Sequence, residues 1–178
     1  VEQFTGLKHP IQNYPFRQAL GVVKYLIPYI KNKSVCDLGC GCGDILVEMQ
    51  KHAKSIVGIE NDLRFKQAIE DVEEERKFII WGDLFEVDIP KCDVYFIWIS
   101  SDKKMNEKII NLLEEGVIII DPTIRLDLFS GNKNLELIDT IECSYDESEY
   151  IGFDDIIIDG NPFPSIGERK FKIYKKIS

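Results

Sequence analysis

The stretch Val35-Cys36-Asp37-Leu38-Gly39-Cys40-Gly41-Cys42-Gly43-Asp44 decides how the rest of the chain is read. It opens as a short apolar strand, passes through three alternating glycines and leads into an amphipathic run. A glycine-rich turn of this kind lets the backbone come close to a ligand at the N-terminus of the following helix. The dinucleotide spacing G-x-G-x-x-G is not met, because position 44 is Asp rather than Gly or Ala. The spacing present is D-x-G-x-G-x-G, with Asp37 two residues ahead of the first glycine. A carboxylate there suits a ligand with a positive amino-acid moiety and repels pyrophosphate. NAD is therefore the weaker reading.

Outward from this turn, apolar β-branched runs alternate with amphipathic charged stretches, the pattern of a parallel sheet covered by helices. Residues 16–30 read as a helix ended near Pro28 or Lys31, and 34–38 as the strand that feeds the turn. A helix over 44–53 puts Ile45, Leu46 and Met49 on one face, and a strand over 55–59 closes on Glu60. The acids of a helix over 62–75 form a solvated face. Strands at 77–81, 93–99 and 117–120, with a helix at 102–113, complete the alternation. The last third changes character: strands at 135–143 and 170–177 have no obvious helix between them, only a small strand near 156–158. Five strands alternating with helices, then two without, define a doubly wound, Rossmann-like α/β sheet of seven strands.

Two further acids fall where such a sheet binds ligands. Glu60 ends the second strand, 21 residues past Gly39, where a carboxylate accepts ribose hydroxyls. Asp83 follows the third strand in Trp81-Gly82-Asp83-Leu84, where an acid meets an adenine amino group. Together these motifs carry a resemblance. Asp37-Leu38-Gly39-Cys40-Gly41-Cys42-Gly43 is similar to the first motif of the class I, seven-strand S-adenosylmethionine (SAM) methyltransferases. Glu60 is similar to their ribose-binding acid and Gly82-Asp83 to their adenine motif.

The resemblance covers nearly all of the chain. It implies strand order 3-2-1-4-5-7-6 with strand 7 antiparallel, helices on both faces, SAM as cofactor and S-adenosyl-L-homocysteine as product. It also implies that Asp37 and the glycines Gly39, Gly41 and Gly43 hold the methionine portion, Glu60 the ribose and Asp83 the adenine. Leu38, Cys40, Asn61, Gly82 and Leu84 complete the cofactor site. Residues 1–178 then form one domain. Within it, 1–31 are a lid and helix, 34–121 the SAM-binding half, and 122–178 the substrate-side half with an acidic insertion at 144–169.

Composition agrees with one domain: 178 residues, of which 44% are hydrophobic and 30% charged. A net charge of −9 disfavours nucleic acid and anionic membrane as partners. No apolar run approaches the roughly 18–20 residues of a membrane span. Five cysteines, an odd number, fit poorly with a disulfide framework, so reduced thiols and a cytoplasmic location are expected. The C-x3-C-x-C cluster lacks a fourth ligand, and His9 and His52 show no ligand spacing, so no metal is expected.

The acceptor is harder to read. Methyl transfer needs a nucleophile held in line with the sulfonium carbon and stripped of water. A lysine acceptor, with a pKa of about 10.4, must also lose a proton. After strand four the chain reads Ile97-Trp98-Ile99-Ser100-Ser101, without the [DN]-P-P-[YF] motif of base-amine or glutamine methylation. The Pro-Cys pair of the RNA cytosine C5 type is absent too. Residues 82–88 resemble the small archaeal seven-strand protein-lysine methyltransferases. The 144–169 stretch interleaves Asp146, Glu147, Glu149, Asp154, Asp155 and Asp159 with Tyr145, Tyr150, Phe153 and Phe163. Acids and aromatics above a SAM site suit a cationic amine; the plainer reading is a solvated loop. Protein lysine is the leading acceptor, with a small molecule or a non-catalytic SAM-binding scaffold role as alternatives. Tyr14, in the lid segment, and Ser100 are the candidate catalytic residues.

Overall fold

Residues 20–97, 102–122, 127–146 and 166–178 are described by the structure, a computed structural model. So is the backbone of two short antiparallel pairs, Gln3–Phe4 with Leu7–Lys8 and Ile157–Ile158 with Asn161–Pro162. A 3-10 turn, Leu20–Val22, leads into helix α1 (Val23–Ile30). Pro28 lies inside α1 rather than ending it, and the helix stops where the Lys31 N–H donates to the Ile27 carbonyl at 2.9 Å. Strand β1 (Ser34–Leu38), helix α2 (Asp44–Met49), strand β2 (Ser55–Glu60) and helix α3 (Leu63–Ala68) follow. After them come β3 (Ile79–Trp81), β4 (Val94–Ile97), helix α4 (Lys103–Asn111) and β5 (Ile118–Asp121). The chain closes with β6 (Leu135–Asp146) and β7 (Ile166–Lys176).

The seven strands form one sheet in the order β3-β2-β1-β4-β5-β7-β6. β1 to β5 run parallel, while β7 is antiparallel to both β5 and β6. Order and direction are those expected from the sequence. The pleat sends alternate residues to opposite faces, and each face has its own core. Val35, Val94, Phe96, Ile120, Phe171 and Ile173 pack on one side with α1 and α2. Cys36, Leu38, Tyr95, Ile97, Ile119 and Tyr174 pack on the other with Ile109 and Ile110 of α4 and with Leu128 and Phe129.

Three segments depart from the expected elements. The helix expected over 62–75 ends at Ala68, and Glu70–Arg76 is a 3-10 stretch broken at Val72, whose φ is −127°. Glu70, Asp71, Glu73, Glu74 and Glu75 crowd that stretch, and like charges at helical spacing disfavour a regular helix. Between β3 and β4, residues 82–93 make turns and no helix. Leu84, Val87, Ile89 and Cys92 take a helix's place against the second core. The insertion expected at 144–169 is shorter than that. Residues 144–146 and 166–169 are paired strand, in register from Asp146–Ile166 to Cys143–Arg169. Because β7 last meets β5 at Lys172–Asp121, this two-stranded ribbon runs some 20 Å past the sheet's carboxyl end.

Candidate functional site

The glycine turn is built by backbone geometry. Gly39, Gly41 and Gly43 lie at φ +81°, +59° and +80°, the left-handed region that favours glycine. At Gly43 space is also short: a Cβ would sit 2.8 Å from Phe78 Cε2. The Gly39 and Cys40 N–H groups both donate to the Ile59 carbonyl, at 2.8 and 3.1 Å, which hangs the turn on the end of β2. Gly43 then caps α2, and its N–H donates to the Cys40 carbonyl at 2.9 Å.

The acids converge on this turn. Asp37 is 4% exposed; burial and then the nearby Glu60 carboxylate push its carboxyl up to about 8. Glu60 Oε2 accepts from the Gly41 N–H at 2.8 Å, and Oε1 accepts from Asn61 and Asp62 N–H at 3.0 and 2.9 Å. A carboxylate offers about four lone-pair directions, so roughly one is left for a ligand. The turn's own backbone thus already uses most of the Glu60 carboxylate. The Gly82 N–H donates to the Glu60 carbonyl at 2.9 Å, which brings the end of β3 alongside the end of β2. Asp83 Oδ1 accepts from the Phe85 N–H at 2.8 Å, and Leu84 is buried beneath. Asp37, Leu38, the turn, Glu60, Asn61, Gly82, Asp83 and Leu84 therefore share the carboxyl ends of three adjacent parallel strands.

Arg76 is the residue that sequence reasoning missed. It reads as the end of a solvated acidic helix, yet it is 7% exposed. Its Nε donates to the Cys42 carbonyl at 3.0 Å and its guanidinium meets Asp44 Oδ1 at 3.2 Å. Asp44, which breaks the dinucleotide spacing, is one half of this clamp behind the turn. An Arg-Lys pair, Arg76 and Lys77, closing a run of acids is the only sequence signal for it. Burial raises the Cys40 and Cys42 thiols, Cys42 to about 12, so both are held as neutral thiols. Among the described residues no cluster of His, Cys, Asp and Glu could hold a metal ion. Among them, too, no helix is long and apolar enough to cross a membrane.

Tyr14 and Ser100 lie outside the described residues, as do most of the acids and aromatics of the expected insertion. Tyr145 is described and departs from the open loop expected there: it is buried in the core with α1, and Arg169 stacks 5.7 Å from its ring centre.

No protein-family model matches the chain, and no curated protein matches its sequence. Solved structures do. M. jannaschii TYW2, crystallised with AdoMet, is 15% identical with a TM-score of 0.56, over 93% of this chain and 80% of that one. A precorrin-6y C5,15-methyltransferase from Geobacter metallireducens is 13% identical with a TM-score of 0.57, over 93% of each chain. A tRNA methyltransferase from M. jannaschii is 18% identical with a TM-score of 0.58, over 92% of this chain and 49% of that one. At such identities the likeness is one of fold. The fold is that of the class I, seven-strand SAM-dependent methyltransferases.

Proposed function

We propose that the chain is an enzyme that transfers a methyl group from SAM to an amine. The observation that carries this reading is the pair of carboxylates, Asp37 and Glu60, set about the glycine turn. SAM carries an ammonium and a sulfonium, and a buried carboxyl held near 8 is relieved by meeting a cation. The pyrophosphate of a dinucleotide would meet repulsion instead. In this reading Asp37 holds the ammonium, while the backbone of Gly39, Cys40, Gly41 and Gly43 forms the cradle above Leu38. Glu60 and Asn61 hold the ribose. With Asp83 Oδ1 committed to Phe85, Oδ2 receives the adenine amino group beside Gly82 and Leu84.

Bound SAM supplies a methyl group already activated on sulfur, so the chain's own task is alignment and exclusion of water. Residues 1–31 are proposed as the lid and helix segment, with Tyr14 in that segment and Ser100 after β4 as the candidate catalytic residues. The acceptor we favour is a protein lysine. Its support is the acid-rich connection between β6 and β7, which the ribbon carries past the ligand end of the sheet. A small-molecule acceptor is the second reading, favoured by the near-complete mutual coverage with the precorrin enzyme.

Incubating the protein with methyl-labelled SAM and a cell extract, then fractionating, tests this. Label in protein that survives hydrolysis as methyl-lysine supports the leading reading. Label in small molecules or in RNA replaces lysine as the acceptor. SAM binding without transfer to any fraction makes the chain a scaffold subunit.

A further inference from the structure

A groove of about 640 Å³ lies between α2, the start of β2 and the segment that leads into β3. Val47, Ile56 and Phe78 line it as half-buried apolar side chains, and Glu74, Glu75 and Lys77 stand exposed at its lip. Arg76 lines it too, and together with Phe78 it braces the glycine turn. Arg76 Nε donates to the Cys42 carbonyl at 3.0 Å. The Phe78 ring stands so close to Gly43 that an added Cβ there would lie 2.8 Å from Cε2 and 3.0 Å from Cζ. Groove and turn therefore share two side chains.

Charge at the lip selects the occupant. Both bases of the groove already meet a carboxylate: Lys77 meets Glu74 at 2.6 Å and Arg76 meets Asp44 at 3.2 Å. Glu75 forms no ion pair among the described residues, so the charge left for a ligand is negative.

We propose that the groove binds an organic ammonium with an apolar body, and that its occupant steadies the glycine turn. The hydrocarbon body covers Val47, Ile56 and Phe78, and the ammonium meets Glu75 at the lip. Apolar burial in a concave site provides the affinity, and the carboxylate provides the discrimination between charges. A carboxylate ligand of the same shape would meet Glu74 and Glu75 as like charges. An occupant also closes the outer side of Phe78 and Arg76. The ring is then held against Gly43 and the guanidinium against the Cys42 carbonyl, so openings of the turn that need either side chain to move become rarer. A ligand that favours the ordered turn raises SAM affinity, and by linkage SAM raises the ligand's affinity by the same factor. The effect on SAM rests on the proposed cofactor site; binding in the groove does not.

The test titrates the full chain with phenylbutylamine, and in parallel with phenylbutyrate and phenylbutanol, which keep the apolar body and change the charge. It follows the methyl signals of Val47 and Ile56 by NMR, amide exchange over residues 39–44 and SAM titration. The expected result is saturation by the amine with a Kd below about 1 mM and binding about tenfold tighter than that of the carboxylate. Both methyl signals shift, exchange in the turn slows, and SAM binds about fivefold tighter or more. Glu75→Gln, at an exposed position, brings the amine down to the affinity of the alcohol and leaves the alcohol unchanged. Equal binding of amine and carboxylate, saturation without shifts at Val47 and Ile56, or an occupied groove with unchanged exchange in the turn would overturn the proposal. A chain that binds no SAM with or without the amine counts against the cofactor site, while methyl shifts and exchange still decide the groove.

Discussion

A carboxyl raised to about 8, as at Asp37, weighs against folding at neutral pH. The folded chain keeps this proton where the unfolded chain, at about 3.9, has released it. The group's stability contribution is therefore most favourable below about pH 4 and is lost as pH rises through about 8, by roughly 6 kcal/mol at most. Asp37→Asn removes the titration. In urea unfolding the variant should gain over the parent, and the gain should grow between pH 5 and pH 8. Its SAM affinity should fall at least about tenfold in calorimetry, since a charge-assisted contact is lost. A variant that is stabilised but still binds SAM normally would take Asp37 out of the cofactor site. Glu60→Ala removes an acceptor for three backbone N–H groups as well as for the ribose. It should weaken SAM by about 1–3 kcal/mol and lower the urea midpoint as well. Unchanged SAM affinity there would show that Glu60 serves only the turn.

At the scale of elements, the turn depends on what lies behind it. A Cβ on Gly58, in β2, would stand 2.5 Å from Cys40 Sγ and 3.0 Å from Leu46 Cδ1. Gly58→Ala should cost about 1–3 kcal/mol through overpacking. Combining it with Cys40→Ala should recover part of that loss, and a double-mutant cycle on unfolding free energies reads the coupling. Additive losses would mean that the two sites do not touch. The Arg76 clamp acts on the same turn from α2's side, holding the Cys42 carbonyl and Asp44 together. Glu60 in front, Gly58 beneath and Arg76 behind fix a loop with no regular structure of its own.

At the scale of the whole molecule, the sheet separates the strand-end acids from the ribbon of β6 and β7. The three acid-bearing strand ends lie at β1, β2 and β3, while the ribbon of β6 and β7 rises on the other side of β4 and β5. Asp146 and Ile166 face each other in register, so residues 147–165 can be replaced by an Asn-Gly turn without moving the sheet. The shortened chain should keep its SAM affinity and lose transfer to the acceptor, as measured by label incorporation. Transfer at the parent rate would free that connection of any part in choosing the acceptor.

The sheet and the three strand-end acids were legible because each depends on short-range pattern, and the strand order followed from the resemblance those motifs carry. Alternation of apolar runs, glycine spacing around Gly39 and an acid closing each strand all lie within a few residues of one another. The helix over 62–75 was misread for the opposite reason: local periodicity does not register the repulsion among its acids or the inward turn of Arg76. Arg76 meets Cys42 across 34 positions, and Tyr25 donates to the Ser144 carbonyl across 119. Tyr145 reads as a loop aromatic until β6 extends past it and buries it beneath α1. The sequence by itself determined which strands form and where the strand-end acids stand. Which side chains brace the turn was decided by tertiary structure, since such contacts are set by strand adjacency and burial rather than by spacing along the chain.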